Sequence, residues 1–286
     1  MDNDRYSRDD GGSLRWVLKR EINIRNFTTR ELTEGNTEMQ YACFDDEACL
    51  VRACIAFNGG VNVPEEKGFT PLHLACQWAN VDVVKLLLES GAQPSLYHKN
   101  RHGDIPISRA VFNRKVDTVK LLLSYHEKDK KVESVGDAFV LAARRQNLEI
   151  VKLFLEASMP DIIHSHHSQN GNTALDHSCQ ESDDTEVMEF LLVSGAAVNA
   201  VDNDGETPLF HAVHFTRLEC AKVLLAAEAT VNHRRNDGNT PLDYALSRAD
   251  GSEARAEMVV LLEAAGGLRG ADLPDDDEDN SDDEDA

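Results

Sequence analysis

The sequence is poor in positive charge. Its 286 residues carry 29 Lys and Arg against 51 Asp and Glu, a formal net charge of −22. Recognition of a nucleic-acid backbone or an anionic membrane surface relies on clustered Lys and Arg, so neither partner is expected. Apolar runs are short, and none approaches the ~18 residues of a membrane-spanning helix. Met1-Asp2-Asn3-Asp4-Arg5-Tyr6 lacks the basic and apolar regions of a secretory leader. The cysteines at 43, 49, 54, 76, 179 and 220 form no paired C-x-x-C framework; at helical positions such thiols act as small hydrophobes. A reducing compartment, cytosol or nucleus, is the expectation. Catalytic signatures are missing as well: no G-x-S-x-G elbow, no G-x-x-x-x-G-K phosphate loop and no G-x-G-x-x-G. Neither an enzyme nor a cofactor is expected.

What is present is a repeat. In Gly68-Phe-Thr-Pro-Leu-His-Leu-Ala75, Thr70 suits a helix N-cap and Pro71 the first helical position, where its missing donor costs nothing. His73 falls within reach of the Thr70 hydroxyl. Asp82 opens a second apolar helix, favouring the positive end of its dipole, and Gly91 stops it. Two short antiparallel helices cannot bury their apolar faces alone, so the unit needs copies. Thr207-Pro208-Leu209 and Thr240-Pro241-Leu242 repeat it closely, Thr173-Ala174-Leu175 recognisably, and weaker starts lie at Thr37, Ile105 and Asp137. These anchors are 33, 35, 32, 36, 34 and 33 residues apart. Acids about twelve residues after an anchor (Asp82, Asp117, Glu149, Glu186, Glu219) and the pairs Val198-Asn199 and Val231-Asn232 keep the same period.

A T-P-L-H-x-A core recurring near 33 residues resembles the ankyrin repeat. The resemblance covers residues 35–267 and implies an all-α solenoid of seven repeats: 35–67, 68–102, 103–135, 136–170, 171–204, 205–237 and 238–267. Residues 1–34 are expected as a polar segment and capping element, with a partner-binding helix carrying Trp16 as the alternative. Residues 268–286 are expected as a disordered acidic tail, with ten acids and no base from Ala271 onward. Three uses suit such a tail: solubility, attraction of a basic protein such as a ribosomal protein or histone, or phosphorylation at Ser281 within Ser-Asp-Asp-Glu.

The resemblance implies a monomeric adaptor or scaffold binding another protein through its concave face. Carried onto this sequence, the first-helix positions are Gln77, Trp78, Phe112, Asn113, Arg144, Arg145, Gln180, Glu181, His214 and Phe215. The tip positions include Glu66, Lys67, Phe69, Arg101, His102, Asp104, Asn203, Asp204 and Glu206. Aromatic and Arg side chains dominate interface hot spots, and Arg144 with Arg145 suits a partner's carboxylate or phosphate. A dedicated chaperone for a basic client, using face and tail together, is the alternative. His164, His166 and His167, followed by His177 and Cys179, are the candidate zinc ligands, although their spacing matches no finger or ribbon. A polar loop tip is the plainer reading of them, and a metal-dependent enzyme or sensor at His164–Cys179 is the second alternative for function.

Overall fold

The computed structural model describes residues 38–56, 60–126, 133–157, 160–248 and 252–274. The capping segment with Trp16, the anchor Thr37, and residues 275–286 with Ser281 lie outside the described residues. The chain divides into two compact units, at Tyr125 and His126.

Among its described residues the first unit contains three helix pairs: α1 (Glu38–Phe44) with α2 (Ala48–Ala56), α3 (Pro71–Trp78) with α4 (Val81–Glu89), and α5 (Pro106–Phe112) with α6 (Val116–Ser124). Helix α4 forms because Val83, Val84, Leu87 and Leu88 recur on one face, and all four are buried. It stops at Gly91, whose φ of 99° lets Ala92 N donate to Leu87 O at 3.0 Å and Gly91 N to Leu88 O at 3.2 Å. Helix α3 starts as the sequence predicts. His73 N donates to Thr70 Oγ1, and the Thr70 N–H and hydroxyl both donate to His73 Nδ1, at 3.2 and 2.8 Å. Because Nδ1 accepts, Nε2 carries the proton, and it donates to Asp104 O of the next repeat at 3.0 Å. One side chain therefore closes a helix start and ties two repeats together.

Among its described residues the second unit holds four pairs: α7 (Glu133–Arg144) with α8 (Leu148–Glu156), α9 (Ala174–Ser178) with α10 (Glu186–Val193), α11 (Pro208–His214) with α12 (Leu218–Ala226), and α13 (Pro241–Ser247) with α14 (Glu253–Ala264). Phe139 of α7 meets Phe154 of α8 edge-on at 5.9 Å, both fully buried. At the motif's His position, Asp176 and Asp243 take over its capping role. Each accepts from the N–H and hydroxyl of its threonine, Thr173 or Thr240. In the sixth repeat Phe210 stands there instead, so Thr207 Oγ1 is buried without a hydrogen-bond partner. His211, one place later, donates to Asp202 Oδ2 at 3.2 Å. Gly171 has φ 77°, and a Cβ there would meet Asn203 N of the following turn at 3.0 Å, so adjacent turns pack backbone on backbone.

Two boundaries differ from expectation. Asp137 is not a helix start: α7 begins four residues earlier, and the Asp137 carboxylate accepts from Ser168 N and Oγ at 2.8 Å each. Without a Thr-Pro pair to set the cap, the helix extends a turn upstream. The folded part also continues past Gly267. A 3₁₀ turn at Gly270–Asp272 packs onto the last repeat. There Gly270 N donates to Asp243 Oδ2 at 2.6 Å, and Arg234 donates to Gly270 O and Leu273 O at 2.7 and 2.8 Å. Residues 268–274 are thus part of the fold and cover the turn of the seventh repeat.

Candidate protein-binding faces

The predicted binding residues fall into two groups, one in each unit. In the first unit, α1, α3 and α5 end on Phe44, Trp78 and Phe112, with 34 residues between successive rings. They are 37%, 50% and 46% exposed, because each ring lies just past the buried stripe of its helix. The Phe44 and Trp78 rings are 5.3 Å apart. Phe44 was not among the expected positions; its 34-residue spacing from Trp78 was the available signal, hidden by the weak first repeat. Gln77 is half-buried beside Trp78, and Asn113 caps its own helix by donating to Arg109 O at 3.0 Å. At the turn tips, the Phe69 ring lies against His73, His102 and the Arg109 guanidinium, 4.8 Å from the last. Arg101 and His102 are exposed. His73 is core rather than surface, and burial pushes its pKa down to about 4.

In the second unit the arginine pair is already engaged. Arg144 Nε lies 3.3 Å and Arg145 Nη1 3.5 Å from the two oxygens of Glu181, so the neighbouring repeat supplies the carboxylate expected from a partner. Glu206, expected at a tip, is buried and paired with Arg235. Phe215 is 37% exposed and flanks His214 at 4.7 Å. His214 stacks on Tyr244 at 5.4 Å and accepts from its hydroxyl at 2.8 Å through Nδ1. Burial, then the nearby Arg248 charge, lowers the His214 pKa and favours the neutral ring this bond needs. Arg248 lies over Tyr244, 4.9 Å from its centroid. Tyr244 and Arg248 read as repeat grammar in sequence, and only the stacking of α11 on α13 joins them to His214.

The histidine cluster does not converge. His166 Nδ1 donates to Gly171 O at 2.7 Å and His167 Nδ1 to Asn170 Oδ1 at 3.0 Å, while the His167 ring rests on buried His177. Among the described residues, the potential metal ligands that do converge are Asp202, Glu206 and His211, within 4.8 Å of one another. Internal bonds engage all three: Asp202 accepts from His211 and from the N–H groups of Asp204 and Glu206. Burial, the largest influence, would lower His211, but its bond to Asp202 and the charges of Asp176, Glu206 and Asp202 together outweigh it and raise its pKa.

Charge separates the units sharply. Through Tyr125 the sequence has 16 Lys and Arg and 17 Asp and Glu; from His126 onward it has 13 and 34. All six cysteines are free, and only Cys49 is exposed. No helix among the described residues is long and apolar enough to cross a membrane.

A family model described as "Ankyrin repeats (3 copies)" matches residues 10–98, 39–134, 107–202 and 179–266. The nuclear factor NF-kappa-B p105 subunit of Gallus gallus is 31% identical over 169 residues, covering 57% of this chain. The chain spans only 17% of that relative's length. Among solved structures, the human ASB11 ankyrin repeat domain is similar over 79% of this chain and 98% of its own, with TM-score 0.64 and 23% identity. The ankyrin repeat domain of Bcl-3, titled a unique member of the IkappaB protein family, covers 79% and 99%, with TM-score 0.63 and 24% identity. At these identities the two structures speak to fold alone.

Proposed function

The chain belongs to the ankyrin-repeat family, and from that premise we propose that it is a non-catalytic adaptor or scaffold that grips another protein on its first-helix faces. Ankyrin repeats are typically protein–protein interaction modules. One observation carries the reading: exposed rings recur where first helices end, at Phe44, Trp78 and Phe112 in one unit and Phe215 in the other. Rigid, half-exposed aromatics supply contact area at little entropic cost, which is what hot spots require. Free, mostly buried cysteines fit a cytosolic or nuclear setting. The excess of 34 acids over 13 bases after Tyr125 favours a basic partner, and a chaperone for such a client is the second reading.

Affinity capture with the full chain tests this, beside Trp78→Ala, Phe215→Ala and a 1–274 truncation. Loss of the partner with either ring variant, at unchanged thermal stability, supports the first-helix faces. A partner lost only from the truncation supports the chaperone reading. A partner retained by all three variants refutes both.

A further inference from the structure

In the second unit, the second helices α12 and α14 leave a groove of about 480 Å³ between them. Its floor is apolar: Leu218 from one helix and Ala256, Val260 and Leu261 from the other. Val260 is 63% exposed although it sits mid-helix. The sequence Glu253-Ala-Arg-Ala-Glu-Met-Val-Val-Leu-Leu-Glu-Ala264 explains this. Met258 and Leu262 face the core, and Val260 continues the apolar surface around to the outer side. A solvated helix normally carries polar residues there. The rim is acidic, with exposed Glu253 and Glu257. Its single base, Lys222, is neutralised by Glu219 at 2.7 Å.

We propose that this groove docks a cationic amphipathic helix of a partner protein, its apolar side chains on Val260 and Leu261 and its Lys or Arg residues against Glu253 and Glu257. Charge selects the occupant. A second copy of this chain would bring like carboxylates together, an anionic lipid surface would be repelled, and a neutral apolar helix would leave the rim unpaired. The groove lies on second helices and shares no residue with the first-helix rings, so either surface can fail alone.

The test uses a fluorescent Leu/Lys peptide with leucines at helical spacing, titrated against the full chain and followed by anisotropy. A scrambled peptide of equal composition and a Leu/Glu peptide serve as controls. Preference for the patterned Leu/Lys peptide is expected. Val260→Asp should weaken binding about tenfold, the value of one buried aliphatic side chain. Glu253→Lys with Glu257→Lys should weaken it at least as much and flatten its salt dependence. Thermal melts accompany each variant, and the milder Val260→Ser replaces any that unfolds early. Several outcomes would overturn the proposal. The scrambled peptide binding equally well is one, and indifference to the Val260 variants is another. Loss of binding on removing residues 275–286 alone would place the site on the tail. A marked gain on removing residues 1–34 would make the chain's own Leu14–Arg20 stretch the occupant.

Discussion

His73 should make the protein acid-sensitive through one identifiable side chain. Buried as a neutral imidazole, it has its pKa lowered from 6.5 to about 4. Above 6.5 neither the folded nor the unfolded chain protonates it, so it contributes no pH dependence. As pH falls from 6.5 toward 4, only the unfolded chain gains the proton, and stability is lost at up to ~1.4 kcal/mol per pH unit. Between pH of about 7.5 and about 5 this amounts to about 2 kcal/mol. In His73→Ala that loss should vanish. The variant should also be less stable at neutral pH, because the Thr70 N–H, the Thr70 hydroxyl and Asp104 O lose their partner. At roughly 1–3 kcal/mol for each buried unsatisfied group, with partial relaxation, the cost is about 3 kcal/mol. Urea denaturation of both proteins at the two pH values measures each quantity, and the difference cancels other titrating groups such as His177 and Asp176. An acid loss of equal size in both proteins would refute the argument. So would an NMR titration placing His73 near its unperturbed midpoint.

Three further outcomes are expected. Thr216, a β-branched residue at φ 54°, occupies the left-handed turn between α11 and α12, so Thr216→Gly should raise stability by about 0.5–1 kcal/mol in urea melts; a loss would show that the side chain has an essential contact. Phe154→Ala removes the partner of Phe139 from a fully buried site and should cost about 3–5 kcal/mol, measurable as a lowered denaturation midpoint. Asn232 donates to Gly266 O at 3.1 Å and accepts from Leu268 N at 2.7 Å, so Asn232→Ala should speed hydrogen exchange at residues 268–273 well before the rest of the second unit.

The expectations about local structure held best where Thr and a polar residue three places on occur together. Thr70, Thr173 and Thr240 all close capping boxes, whether His or Asp completes them. They failed where those residues are absent. Asp137 could not be recognised as mid-helix, because the residues that would mark an earlier start follow no cap pattern. At Thr207 the Thr-Pro pair is present without the polar residue, and the threonine hydroxyl finds no partner, since Phe210 stands three places on and is drawn into the core. The left-handed residues Asp46, Arg114, Gln146 and Thr216 left no trace in composition, because only the turn between two packed helices imposes that conformation.

By itself, then, the sequence determined the period, the family, the helix starts and the apolar stripes, because capping and amphipathic periodicity act within a few residues along the chain. Stacking decided which polar groups are spoken for. Arg144 and Arg145 face Glu181, His211 faces Asp202, and Tyr244 pairs with His214, each partnership bridging residues from nine to 37 positions apart. Such pairings depend on the rotation of one repeat against the next, which no short-range pattern encodes. The same packing left Phe44 and Trp78 side by side at the ends of their helices, and left Val260 facing solvent in a groove it shares with Glu253 and Glu257 rather than the core.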